Sequence, residues 1–369
     1  MNVKQKKGWR YLLLGLLMVI ILPGCNRLNK IPESSIVITD LDQYYGFDKN
    51  EAGIEYNSSQ KVNGKLLNTG LINRYTKETN QFLVSKSTTT KDLSQYLISV
   101  DKDSGVIKET EPYDGDFYSI CVDGELIYTV SSRMNSIILC SYNTDLELIN
   151  TENISFEADV VIPTAICKFQ NTIYVLCGFV TNDAAYGTVS NKLLSFSPDF
   201  KYLDCIDLNL NDGAWQDMIQ IDGKIYLART TQGLSETGDA VPSYQIDIFS
   251  LETSEFCEPF INLEIPYPHD LKLAQSSDSL AILPDYSRYS EPSFTILDLS
   301  DHSIQTYRLS AEALNWSAFS TVPFLEDDES NWYFLTQDSL AIINKSNGNV
   351  EYFDLKPYGI DQAYGLLVR

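Results

Sequence analysis

Six times along this chain, a turn-forming tip leads into a short apolar run. The runs read QFLVS (81–85), LIYTV (126–130), TIYVL (172–176), KIYLA (224–228), SLAIL (279–283) and NWYFL (331–335). The tips before them read ETN, DG, QN, DG, SD and ESN, which signal hairpins when β-rich residues flank them. A second hairpin follows each run: ISVDKDSGV (98–106), LCSYNTDLEL (139–148), LSFSPDFKYL (194–203), IFSLETSEF (248–256), ILDLSDHSI (296–304) and IINKSNGNV (342–350). Their starts are 41, 55, 54, 48 and 46 residues apart. Each unit of about 50 residues therefore supplies four strands.

A four-stranded antiparallel unit repeated at this period is a propeller blade. The KIYLA-type strands are apolar on both faces, as a sheet sandwiched between two neighbours requires. The outer hairpins, such as SPDFKYLDC and KSNGNVEY, are more polar, as a rim would be. A β-sandwich needs no such repeat, and a β-helix repeats at shorter intervals. The expected fold is thus all-β, a β-propeller. The six units cover roughly residues 66–356, leaving strands in SSIVITDLDQYYGF and EAGIEY at the front and DQAYGLLVR at the end. A ring must close, because an open sheet edge invites aggregation. We expect the terminal strand to complete a seventh blade begun by the N-terminal strands, with six or eight blades as alternatives.

The outer turn Asp101, Ser104, Gly105 follows the Asp-x-x-Thr/Ser-Gly pattern of quinoprotein-like repeats, although Glu109 stands where those repeats carry Trp. Asn344, Asn347, Gly348 and Tyr352 echo it more loosely. The chain resembles quinoprotein-like and YVTN-type propellers on these residues. The resemblance implies blade shape over most of residues 66–369. It carries over no quinone, no other cofactor and no catalytic residue, and a fold alone does not assign a function.

The N-terminus carries a different signal. MNVKQKKGWR holds Lys4, Lys6, Lys7 and Arg10 and no acid, and Tyr11 to Leu22 is apolar apart from Gly15. A basic head followed by a short apolar segment describes a secretory signal. Twelve helical residues span only about 18 Å, short of a hydrocarbon core. The Leu22-Pro23-Gly24-Cys25 ending resembles the lipobox of bacterial lipoproteins, with Pro23 in place of the usual small or hydroxyl residue. That resemblance implies cleavage before Cys25 and its modification by acyl chains such as palmitate. The expected organisation is a signal peptide at 1–24, a lipidated cysteine and tether at 25–35, and a propeller at 36–369. The expected location is the extracytoplasmic side of a bacterial cell membrane. Without residues 1–24 the chain holds 23 basic and 50 acidic residues, a net charge of −27. Such a surface repels phosphate backbones, which excludes nucleic acid as a partner. It repels anionic headgroups too, so the lipid on Cys25, not the protein surface, is the expected membrane contact.

Six further cysteines, at 121, 140, 167, 177, 205 and 257, lie in or beside apolar runs, where thiols pack as small hydrophobes. Cys167 and Cys177 flank one hairpin and are the best candidates for a disulfide. No metal site is expected. DKDSG (101–105) starts like a calcium loop, but Pro112 stands where the bidentate Glu belongs. EDDES (326–330) reads as a solvated acidic tip. There is no G-x-S-x-G, H-E-x-x-H, P-loop or G-x-G-x-x-G motif.

Ligands of ring folds sit where the innermost strands enter. Those positions read DFYSI (116–120), IPTAI (162–166), WQDMI (215–219), PHDLK (268–272), NWSAF (315–319) and IDQAY (360–364). The candidate binding residues are Tyr118, Trp215, Asp217, His269, Asp270 and Trp316, with Thr164, Gln216, Ser317 and Gln362 beside them. Aromatic faces with carboxylates suit sugars or cationic peptide groups. The two Trp also suit a plain role in blade packing. His269 and Asp270 have acid–base chemistry, but adjacent strand residues are expected on opposite faces. The leading functional reading is a binding or scaffold protein for a glycan, peptide or envelope protein. A hydrolase or lyase built on Asp217, His269 and Asp270 is one alternative, and a subunit of an envelope assembly is another.

Overall fold

The computed structural model describes residues 30–40, 43–50, 53–61, 73–76, 79–87, 95–112, 117–181, 188–208, 213–317 and 323–369. The expected signal peptide and Cys25 lie outside them. Seven four-stranded antiparallel sheets form the ring. Blades 2 to 7 occupy residues 73–109, 119–155, 160–207, 214–262, 268–308 and 324–354, each running from its innermost strand outward. Blade 1 is composite. Its innermost strand is Gly365–Val368, and Ile36–Thr39, Gln43–Asn50 and Gly53–Lys61 follow outward. Ile36 pairs with Val368 and Thr39 with Gly365, so the two ends of the chain are hydrogen-bonded into one sheet. The expected closure of a seven-bladed ring is observed.

Local chemistry explains the strands. The Asp222-Gly223 tip takes φ of 48° and 77°, the doubly positive conformation that matches strand twist in a two-residue hairpin. Every apolar run that follows a tip is the second strand of its blade. These strands are apolar on both faces because each face meets a different neighbour. In Thr172–Thr181, Val175 packs into the seam with blade 3 and Leu176 into the seam with blade 5. The core is accordingly seven separate apolar clusters, one per seam. An open row of seven sheets would have six. Each fully buried Leu, Ile, Val or Phe contributes about 1.5–3 kcal/mol.

The same alternation corrects the disulfide candidate. Cys167 faces the blade 4–5 seam and Cys177 the blade 3–4 seam, on opposite sides of one sheet, and both are free thiols. Burial pushes both thiols well above their ordinary range, so they pack as small hydrophobes.

The innermost strands start on one face, here the upper, and end on the lower. Side chains tie neighbouring strands together around the axis. Ile166 N donates to Ser119 Oγ at 3.3 Å, and Leu271 N donates to Asp217 Oδ2 at 2.9 Å. Residues 30–35 pack on the lower face. Ile31 N donates to Gly105 O at 2.9 Å, and Ile31 is 2% exposed. No helix among the described residues is long and apolar enough to cross a membrane.

Candidate functional site

The upper mouth is shaped by three bulges. Pairing registers shift between Pro163 and Ala165, Trp215 and Asp217, and Pro268 and Asp270. The extra residues are Thr164, Gln216 and His269, on the innermost strands of three consecutive blades. A bulge sets two residues against one and re-aims their side chains. This overturns the expectation for His269 and Asp270. In a regular strand they would diverge, but His269 Nδ1 lies 2.9 Å from Asp270 Oδ1.

His269 is 31% exposed and Asp270 is 54% exposed. Burial pulls the imidazole pKa down, but Asp270, then Asp285 and Asp217, outweigh it and raise the value to about 9. The ring is therefore a cation at neutral pH. Tyr267 and the 285–288 turn complete the rim of blade 6. Asp285 N donates to Tyr267 O at 2.8 Å, Arg288 Nε sits 3.1 Å from Asp285 Oδ2, and its guanidinium lies 5.9 Å from the Tyr267 ring centre. Two cations thus alternate with two carboxylates beside an aromatic face. Because the folded pKa of His269 is raised, its ion pair stabilises the fold fully below about pH 6.5, and that stability is lost as pH rises through about 9. Asp270→Asn should bring the His269 pKa down toward its ordinary value. An NMR titration of the imidazole reads this directly, and an unchanged midpoint would refute the pairing.

The other sequence candidates sit elsewhere. Trp215 is 2% exposed in the blade 4–5 seam, and its Nε1 donates to Asp247 Oδ2 at 2.7 Å. Burial raises the Asp247 carboxyl pKa, against the Trp215 hydrogen bond and Arg229, whose guanidinium lies 5.4 Å from the Trp215 ring centre. Asp217 neighbours His269, but both of its oxygens accept backbone N–H groups, from Met218 at 2.8 Å and Leu271 at 2.9 Å. Trp316 is half-buried. It donates from Nε1 to Ser290 O at 2.8 Å and packs 5.2 Å from the Tyr286 ring, fastening the loop behind Arg288. Tyr118 is half-buried on blade 3, across the ring from His269. Thr164 and Gln216 are half-buried on blades 4 and 5, and Ser317 and Gln362 are exposed. Tyr267, Asp285 and Arg288 were not anticipated. The YPHD and PDYSR stretches offered the residue types, but only strand pairing brings them together.

The lower end of the axis is different. Only part of EDDES is a solvated tip: Glu329 is exposed, but Glu326 and Asp327 end the innermost strand of blade 7 and are 0% exposed. Lys272 Nζ pairs with Glu326 Oε1. Lys345 Nζ lies 2.8 Å from Asp327 Oδ2, and Gln275 N donates to the same oxygen at 3.0 Å. Lys102, on a blade 2 turn, reaches Gln275 Oε1 of blade 6 at 2.6 Å. Those blades are three steps apart around the ring, so the contact forms only at the axis. Burial pushes Lys102 down and Glu326 up to about 7, each partly offset by the opposite charges. This cluster is buried at the lower end, whereas the upper mouth keeps exposed charge. Sequence reasoning missed it because an acid run gives no sign of burial. It also missed a cleft of about 330 Å³ on the lower side of the blade 6–7 seam, where Asp278, Asp298 and Glu329 line the space with Tyr307, Trp332 and Lys345. Among the described residues, no group of three or more His, Cys, Asp or Glu is placed to hold a metal.

No protein-family model and no curated protein matches the chain. Solved structures do. A provisionally named 6-phosphogluconolactonase from Bacteroides uniformis is 9% identical with a TM-score of 0.55, covering 90% of this chain and 98% of that one. A similarly named protein from Bacteroides fragilis is 13% identical with a TM-score of 0.48, covering 75% and 82%. The Pan2 WD40 domain of Neurospora crassa is 10% identical, also at 0.48, covering 76% and 78%. At such identities only shape is shared, and the sheet order agrees with the likeness to the Bacteroides uniformis structure: the chain is a seven-bladed β-propeller.

Proposed function

We propose that this protein is a lipid-anchored extracytoplasmic binding protein whose upper mouth holds a polar, charge-bearing segment of a glycan, peptide or envelope protein. The observation that carries the binding reading is the bulged His269–Asp270 pair, exposed beside Tyr267, Asp285 and Arg288. Alternating charges next to an aromatic face suit a ligand with hydroxyl, amide and charged groups. The two backbone N–H groups on Asp217 count against a paired-carboxylate hydrolase, which needs both carboxyls available to substrate. The anchor reading rests on the basic head, the apolar segment and Leu22-Pro23-Gly24-Cys25.

Two measurements test the two halves. Cells fed labelled palmitate should label the wild-type protein and not Cys25→Ser. Calorimetry against a panel of envelope glycans and peptides should find a ligand whose affinity falls at least tenfold in His269→Ala and Arg288→Ala, measured at a temperature where circular dichroism shows both variants folded. Ligands that bind both variants as well as wild type would remove the mouth from consideration.

A further inference from the structure

The attachment of residues 30–35 sets which way the ring points. Ile31 is buried in the blade 1–2 seam among Val37, Phe82, Ile98 and Val100, and its N–H is held by Gly105 O. Ser34 is 4% exposed. Asn57 Nδ2 donates to Ser34 Oγ at 3.1 Å, and Arg369 N donates to Ser35 O at 2.9 Å. The contacts to Gly105 and Arg369 are at the lower face, and Ser34 meets Asn57 partway up the outer strand of blade 1. Six residue steps separate Cys25 from Ile31. Fully extended, they reach about 22 Å. The blade is thicker than that: the seven steps of the strand Gln43–Asn50, beside the strap, span about 24 Å.

We infer that the lower face is the membrane-proximal surface and that the upper mouth opens away from the bilayer, toward ligands arriving from the aqueous side. The inference rests on the proposed lipid anchor at Cys25. A chain of six residues cannot carry lipid from the lower face past the blade edge and lay the upper face on the bilayer. Charge adds a second feature. The lower turns expose Asp103, Glu125, Glu252 and Asp301, and Asp123 and Asp145 there pair with Lys168 and Lys108. Anionic headgroups repel such a face, so it stands off the bilayer on its tether without adsorbing. On that side the charges at the axis, around Glu326, are buried and paired. The exposed charges of the mouth then face outward.

The test uses full-length lipidated protein on phosphatidylethanolamine/phosphatidylglycerol vesicles that carry an acceptor dye on a fraction of the headgroups. A fluorescent amino acid is placed at Thr253 in a lower turn or at Glu236 in an upper turn of the same blade, both exposed. Energy transfer to the headgroup dye should be several-fold more efficient from Thr253. Inserting about 20 Gly/Ser residues after Asn26 should shrink that contrast, because a flexible linker of that length reaches both faces. Equal transfer from the two sites with the native tether, or stronger transfer from Glu236, would overturn the orientation. Vesicle flotation of Cys25→Ser separates the premise from the inference. If that variant floats as wild type does, the anchor is wrong and the orientation falls with it. If it stays in solution while the two probes transfer equally in the wild type, the anchor stands and the orientation alone is wrong.

Discussion

A chain ending at Tyr364 should lose cooperative unfolding and self-associate. The five deleted residues include Leu366, Leu367 and Val368, at 0%, 2% and 1% exposure. Leu366 and Val368 fill the blade 7–1 seam, and Leu367 fills the blade 1–2 seam. At about 1.5–3 kcal/mol each, their removal forfeits roughly 5–9 kcal/mol, comparable with the whole stability of an ordinary domain. The deletion also strips the partner from Ile36–Thr39, leaving an unpaired apolar edge at the axis. Scanning calorimetry should show a broadened or absent transition, and light scattering should show oligomers. A synthetic peptide of residues 361–369 should restore part of the transition. Leu366→Ala offers a graded control, expected to cost about 2–5 kcal/mol while the ring stays closed. A truncated chain that melts like wild type as a monomer would show that the terminal strand does not close the ring.

Lys272→Met should destabilise the fold by about 3–5 kcal/mol at pH 8, the usual effect of leaving a buried charge without its partner. Lys272 holds Glu326, which is 0% exposed and has Asp327 beside it. The effect should be smaller at pH 5, where Glu326 takes up a proton and no longer needs the ammonium. Glu326 titrates near 7 in the fold against an ordinary 4.5, chiefly because of burial. Between those values the folded chain binds the proton more tightly than the unfolded one. Stability linked to this group is therefore full below about pH 4.5 and declines as pH rises through 7, by about 3 kcal/mol in all. The double variant Lys272→Met with Glu326→Leu should regain most of the loss, since both charges leave together. Urea denaturation of the three proteins at pH 5 and pH 8 reads all of this. A Lys272→Met loss that is equal at both pH values would disprove the coupling.

Much of the architecture was written in the chain as local chemistry. The tips, the doubly apolar second strands and the polar outer hairpins each follow from a few adjacent residues, so the repeat was visible without coordinates. The seventh blade was the leading expectation, ahead of six or eight, because the strands left over at the two ends had no blade of their own. What escaped the sequence depends on register and on distance around the ring. His269 meets Asp270 because one extra residue shifts the pairing after Pro268. Cys167 and Cys177 are close in the chain but face opposite seams. The strand Phe324–Asp327 carries its acids to the axis, where Lys272, Lys345 and a contact from blade 2 to blade 6 surround them.

The sequence by itself determined the four-stranded blade and pointed to a ring of seven closed by its two ends, with six or eight as alternatives, because hairpin turns and side-chain alternation act over a few residues; the sheet order decided the count. Only the tertiary structure decided which polar side chains face the mouth and which lie buried at the axis. A one-residue bulge reverses a side chain's face without leaving a mark in composition, and charges from distant blades meet only once the ring has closed.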